Sequence, residues 1–115
     1  TQNNLGLALK ELGQRVSEQE GRSFVMKAIV AYKLALSFHT KDDYPYDWAI
    51  TNENLAEAYD VLASLVNGDE QKDALNQALV CLDYAINVYS PNEMSYDYGT
   101  AIETRKIIDN KLRKL

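Results

Sequence analysis

Apolar residues recur at intervals of three and four along almost the whole chain, which is the spacing of α-helices that bury one face. In the first such segment the recurring residues are Leu5, Leu9, Leu12 and Val16. Five helices are predicted, over residues 1–16, 24–39, 47–66, 74–89 and 97–112. Breaks are predicted near residues 17–23, 40–46, 67–70 and 91–96. The pattern therefore predicts an all-α chain without β-strands.

The predicted breaks rest on residues that stop or cap helices. Gly21 and Ser23 supply a break and an N-cap before the second helix. Asp47 can cap the third helix or lie in its first turn, where the helix dipole favours a carboxylate. Gly68 suits a left-handed position at the end of that helix, and Pro91 ends the fourth.

The second and fourth predicted helices each carry two apolar stripes rather than one. The second stripe consists of Ala31, Leu34 and Phe38 in one helix and of Cys81, Tyr84 and Val88 in the other. A helix with apolar residues on two sides is expected to be buried on both sides. The arrangement favours a stack of helical hairpins, in which each hairpin contacts the next.

An internal repeat with a period of 50 residues supports that architecture. Residues 1–50 placed without a gap over residues 51–100 give twelve identities, where chance gives roughly three. The duplication predicts one domain over residues 1–115, made of a repeat at 1–50, a repeat at 51–100 and a capping helix at 97–113. No breaker precedes Thr1, so we expect the given chain to begin inside a repeat.

Composition and charge narrow the classes of partner. Residues 51–100 carry one basic and nine acidic side chains, and the whole chain has a net charge of −5. This acidic half argues against nucleic acid, whose phosphates it would repel. No run approaches the ~20 apolar residues of a membrane span. Because Cys81 is the single cysteine, no internal disulfide can form, which favours a reducing compartment and a cytoplasmic location.

No pattern of catalytic, metal or cofactor ligands is present in the sequence. His39 is the single histidine, has no nucleophile beside it and fits a packed or capping role. Cys81 lies on an apolar stripe, where an inert buried thiol is common. The row formed by Glu53, Glu57 and Asp60 fits a solvated face or a polar groove better than a metal site, since no histidine accompanies it. We therefore predict a protein that is not an enzyme and has no cofactor.

Two segments resemble the tetratricopeptide repeat. The first is Asn4-Leu5-Gly6, which recurs as Asn54-Leu55-Ala56. The second is Ala28-Ile29-x-x-Tyr32-x-x-Ala35-Leu36. The family period is about 34 residues, so the period here resembles a longer variant common in bacterial multi-repeat proteins. The resemblance implies a right-handed superhelical stack of antiparallel hairpins, with about five helices.

By that resemblance, the first helices of the hairpins line a concave groove that binds a peptide or a protein surface. The groove positions it implies are Asn3, Leu7, Lys10, Ile50, Glu53, Glu57, Asp60, Glu103, Ile107 and Asn110. The resemblance thus implies a protein–protein interaction module within a larger protein, and the acidic row suggests a partner that bears lysine or arginine. The alternative is a structural segment that self-associates into homo-oligomers.

Overall fold

The computed structural model describes residues 5–6, 18–89 and 94–115. Its four helices are α1 (Glu18–Phe38), α2 (Pro45–Leu65), α3 (Gly68–Val88) and α4 (Ser95–Arg113). Residues 5 and 6 are helical, and no strand occurs in the described ranges. The all-α prediction is confirmed. The rest of the first predicted helix lies outside the described residues, as does Pro91.

Helix α1 begins earlier than predicted. It starts at Glu18 and continues through Gly21 and Ser23, so the predicted break is wrong for residues 18–23. An interior glycine costs a helix only about 1 kcal/mol. The buried side chains of Val25 and Ala28 follow within two turns, and their packing outweighs that local preference. Helix α3 likewise begins at Gly68 rather than at residue 74.

The two described connections use the residues expected of them. Pro45 and Asp47 lie in the first turn of α2, where proline needs no hydrogen-bond acceptor and a carboxylate is favoured. Gly68 has a φ of 63°, which confirms the predicted left-handed backbone. It begins α3, however, rather than ending α2. With such short connections, consecutive helices run antiparallel.

The core forms where consecutive helices pack: α1 on α2, α2 on α3, and α3 on α4. Alanine is frequent at these contacts, and Ala56 and Ala78 are fully buried, which permits close approach of the helix backbones. Leu55 is also buried, at 3 % exposure, and belongs to the same core cluster as Ala78. Both residues are therefore part of the core.

The prediction that α1 and α3 are buried on two sides is wrong for half of the residues in the second stripes. Leu34, Phe38 and Tyr84 are 42 %, 67 % and 47 % exposed. Ala31 and Cys81 are buried, and Val88 is partly buried against the core. The reason is that α1 packs on α2, and α3 packs on α2 and α4, which leaves another side of each helix exposed. We call this side of α1 and α3 the outward face.

Candidate partner-binding surface

Seven of the predicted groove residues are described, and all seven lie at least partly at the surface. In α2, Glu57 is exposed, while Ile50, Glu53 and Asp60 are partly buried. In α4, Glu103, Ile107 and Asn110 are exposed. We call these seven residues the α2/α4 surface. Asn3, Leu7 and Lys10 lie outside the described residues.

Two polar contacts hold α2 and α4 side by side. The hydroxyl of Tyr46 donates to Asp97 Oδ2 at 2.9 Å, and Lys111 Nζ donates to both carboxylate oxygens of Asp60 at 3.0 Å. Each contact joins residues 51 apart in sequence. The interval from Tyr46 to Asp60 on α2 has the same number of residues as the interval from Asp97 to Lys111 on α4. It corresponds to about 21 Å along a helix. The helices therefore run in the same direction with one constant register.

The contact with Lys111 changes the interpretation of Asp60. The acidic row on α2 suggests a partner's cation at this carboxylate, but Lys111 from the same chain already pairs with it. Asp60 therefore fastens α4 to α2 rather than facing a partner's cation.

Glu53 is held by a hydrogen bond from the end of α3. The hydroxyl of Tyr89 donates to Glu53 Oε1 at 2.7 Å. Burial raises the pKa of the Glu53 carboxyl, and the charges of Glu57 and Asp97 raise it further, while the hydrogen bond from Tyr89 opposes both effects. Glu53 is thus a partly desolvated carboxylate among other carboxylates, which disfavours its charged form.

Two tyrosines complete a cluster with the carboxylates of Glu53 and Asp97. The rings of Tyr46 and Tyr89 meet edge to face, with centroids 6.2 Å apart. Burial raises the pKa of the Tyr89 phenol, and the hydrogen bond to Asp97 is the main reason that the pKa of Tyr46 is raised. Both phenols are therefore neutral donors at physiological pH. We call these four residues the tyrosine–carboxylate cluster.

Sequence reasoning missed Tyr89, Asp97 and Lys111 as parts of this surface. A signal was present in the repeat, because Tyr46-Asp47 recurs as Tyr96-Asp97. The structure joins the tyrosine of the first copy to the aspartate of the second. The spacing of the internal repeat does not by itself show which helix faces contact each other.

The raised pKa of Glu53 predicts a pH-dependent stability. A carboxyl whose folded pKa lies above its ordinary value of 4.5 favours the folded state when protonated, and this contribution is lost as pH rises through the folded pKa. We expect Glu53→Gln to reduce the fall in stability between about pH 4 and pH 7. Urea unfolding across that range measures it, with Glu103→Gln as the exposed control. Parallel pH profiles for wild type and Glu53→Gln would contradict it.

A cleft of about 320 Å³ is lined in part by the Asp60–Lys111 pair. Ala63, Leu75 and Leu115 give it apolar walls, and Gln71 and Lys114 stand among its polar lining residues. The cleft extends the α2/α4 surface towards the end of α4.

Metal-ligand groups and the cysteine thiol can be located within the described residues. No group of three or more histidine, cysteine, aspartate or glutamate side chains is placed to hold a metal ion within the described ranges. Cys81 is buried, and burial raises the pKa of its thiol to about 11, so the reactive thiolate is scarce at neutral pH. Of the helices described, none has the length and apolar character needed to cross a bilayer.

Comparison with protein-family models, with curated proteins and with solved structures finds no match for this chain.

Proposed function

We propose that this chain is a protein-interaction module of the tetratricopeptide type, whose α2/α4 surface binds a protein segment bearing lysine or arginine. The observation that carries the proposal is the constant register between α2 and α4. Their contacts join residues 51 apart, one more than the sequence repeat. Equivalent helices of successive repeats thus lie side by side, as they do in a repeat stack whose first helices form a binding surface.

The charge of the surface favours a cationic partner. Glu53 and Glu57 lie one turn apart on α2, and the charges that raise the pKa of Glu53 are those of Glu57 and Asp97. A lysine or arginine brought to this position would relieve the repulsion among these carboxylates. The surplus of acidic residues in the second repeat would also attract such a partner from a distance, most strongly at low salt.

Aromatic and apolar groups supply further binding energy. Tyr46 is 43 % exposed and its ring is fixed against that of Tyr89, so it offers an ordered face for a cation or an aliphatic stem. Ile107 of α4, at 49 % exposure, provides an apolar position on the other side of the surface. A suitable partner segment therefore combines a basic residue with a nearby apolar one.

A peptide-display selection tests this proposal directly. The chain should enrich peptides that contain lysine or arginine next to an apolar residue, and binding should weaken as salt is raised. The double variant Glu53→Gln, Glu57→Gln should weaken binding of the selected peptides by about tenfold, the effect of roughly 1.4 kcal/mol. Asp73→Asn, which removes an exposed carboxylate from α3, is the matched control and should leave affinity unchanged.

Two outcomes of this experiment would contradict the proposed binding of a basic segment. If selected peptides show no basic preference, or if the double variant binds them as wild type does at both low and high salt, the acidic row is only a solvated surface.

A further inference from the structure

The cleft at the end of the α2/α4 surface is bounded by three helices. Helix α2 contributes Ala63 and Ser64, the first turns of α3 contribute Gln71 and Leu75, and Lys114 lies at the end of α4. The volume of about 320 Å³ is at the lower end of the range for ligand pockets, which is roughly 300–1,000 Å³. Because the walls are mostly apolar, the cleft suits one apolar group of modest size.

The cleft occurs where α4 departs from the internal repeat. Lys111 and Lys114 occupy the repeat positions of Val61 and Ser64 in α2. The side chain of Val61 is partly buried against the core, whereas the amine of Lys111 pairs with Asp60 at the surface. An apolar side chain that packs on the core in α2 is thus absent from α4. An apolar group from a bound molecule would supply the missing contact.

The cleft lies along α2 from the tyrosine–carboxylate cluster. Glu53 and Ser64 are eleven positions apart on this helix, which corresponds to about 16 Å. An extended chain advances about 3.3–3.6 Å per residue, so four or five residues of a bound segment span this interval. The register of 51 residues between α2 and α4 places Ile107 level with Ala56, between the cluster and the cleft.

The charge available at the cleft has the opposite sign to that of the cluster. Lys114 has no ion-pair partner among the residues that the structure describes, whereas Lys111 is neutralised by Asp60. The interval of about 16 Å from Glu53 is roughly twice the Debye length of ~8 Å at physiological salt. The two ends of the surface therefore act as separate charges, and a segment with a basic and an acidic end complements both.

We propose that the cleft binds an apolar side chain of the partner segment, four or five residues from the lysine or arginine at Glu53, with an acidic residue beside it for Lys114. This inference rests on the proposed binding function and specifies which basic segments the α2/α4 surface selects. The rigid helices fix the spacing, since both ends of the surface lie on α2. A segment in this position also crosses Ile107 on its way to the cleft.

Peptides of matched composition test the spacing. Each peptide carries one lysine and one leucine–aspartate pair in a glycine–serine background, at spacings from about two to about eight residues and in both chain orders. Fluorescence anisotropy should show the tightest binding at four or five residues, with an affinity about tenfold above that at the other spacings. An alanine in place of the leucine should remove this gain. An asparagine in place of the aspartate should weaken binding to wild type but not to Lys114→Gln.

A pair of serine substitutions provides the matched variant and its control. Ser64 lines the cleft, Ser37 lies on α1, and each exposed hydroxyl donates to the carbonyl three residues earlier. Ser64→Leu fills the mouth of the cleft, so it should abolish the spacing preference and weaken the best peptide about tenfold. Ser37→Leu should leave binding unchanged. Circular dichroism establishes that both variants are folded.

Nuclear magnetic resonance of the wild type gives a second measurement that needs no variant. The methyl resonances of Leu75 and Leu115, which line the cleft, should shift with the leucine peptide and not with the alanine peptide. Equal shifts with both peptides overturn the assignment of the apolar side chain to the cleft.

The outcomes separate this inference from the proposed function. Binding that depends on lysine and salt, but not on spacing or on Ser64→Leu, overturns the role of the cleft and leaves the binding of basic segments standing. Binding that depends on leucine, but not on lysine or salt, contradicts the proposed function and the spacing derived from it. Absence of binding by every peptide overturns both.

Discussion

Replacement of Leu55 by alanine should lower the free energy of unfolding by about 2–5 kcal/mol, the usual range for a core leucine. Leu55 is 3 % exposed and lies in the core cluster with the residues of α3. Truncation removes buried apolar surface and leaves a cavity, which rigid helix backbones fill only in part. For a domain of this size the melting temperature should fall by roughly 10 °C or more.

The repeat supplies a matched control for this substitution. Leu5 occupies the same repeat position as Leu55 but is 52 % exposed, so Leu5→Ala should cost less than about 1 kcal/mol. The pair compares identical chemical changes at equivalent positions and isolates the effect of burial. Equal losses of stability for the two variants, measured by urea unfolding, would show that the core is not centred on α2 and α3.

The helices were predictable because their apolar residues recur with the helical period over many turns. Leu55, Ala78 and Leu82 lie in such rows, and all three are buried. The starts of α1 and α3 were less predictable, since Gly21 and Gly68 are local signals whose effect depends on packing. Gly68 has the expected left-handed backbone, but the following residues continue directly as α3.

Burial of the second apolar stripes could not be predicted from sequence alone. Periodicity shows that Leu34 and Tyr84 share helix faces with other apolar residues, but it does not show how many neighbours each helix has. In the described part of the chain, α1 packs on α2 and α3 packs on α2 and α4. The same apolar pattern is therefore compatible with a buried layer or with a surface for another chain.

The common helix face of the acidic row could be predicted from the sequence, but the residues that contact its carboxylates could not. Glu53, Glu57 and Asp60 share a face of α2 because of their spacing. Which of them meets Tyr89 or Lys111 depends on the register between helices, and that register is fixed by the packing of α3 between α2 and α4. Long-range pairs such as Asp60–Lys111 therefore need the structure, although the 50-residue repeat points to the approximate spacing.

Replacement of Ile108 by alanine should loosen α4 more than any other helix and should cost about 2–5 kcal/mol. Ile108 and Ala101 are the fully buried residues of α4 within the described chain, and Ile108 is the larger of the two. Tyr98 and Leu112 also pack against the core, but they are only partly buried. The polar contacts that remain on this helix, such as Arg105–Asp83, are exposed, and exposed ion pairs contribute little. Amide hydrogen exchange should therefore accelerate chiefly in α4.

The neighbouring isoleucine gives the control and connects this prediction to the binding surface. Ile107 is 49 % exposed, so Ile107→Ala should leave hydrogen exchange in α4 nearly unchanged. Ile108→Ala should also release Asp97 and Lys111 from Tyr46 and Asp60, because those contacts depend on the position of α4. Binding of basic peptides should then weaken even though Ile108 contributes no exposed atoms to the surface. If exchange instead rises equally in α2, α3 and α4, the helix is part of one cooperative unit, and the idea that α4 is attached mainly through Ile108 fails.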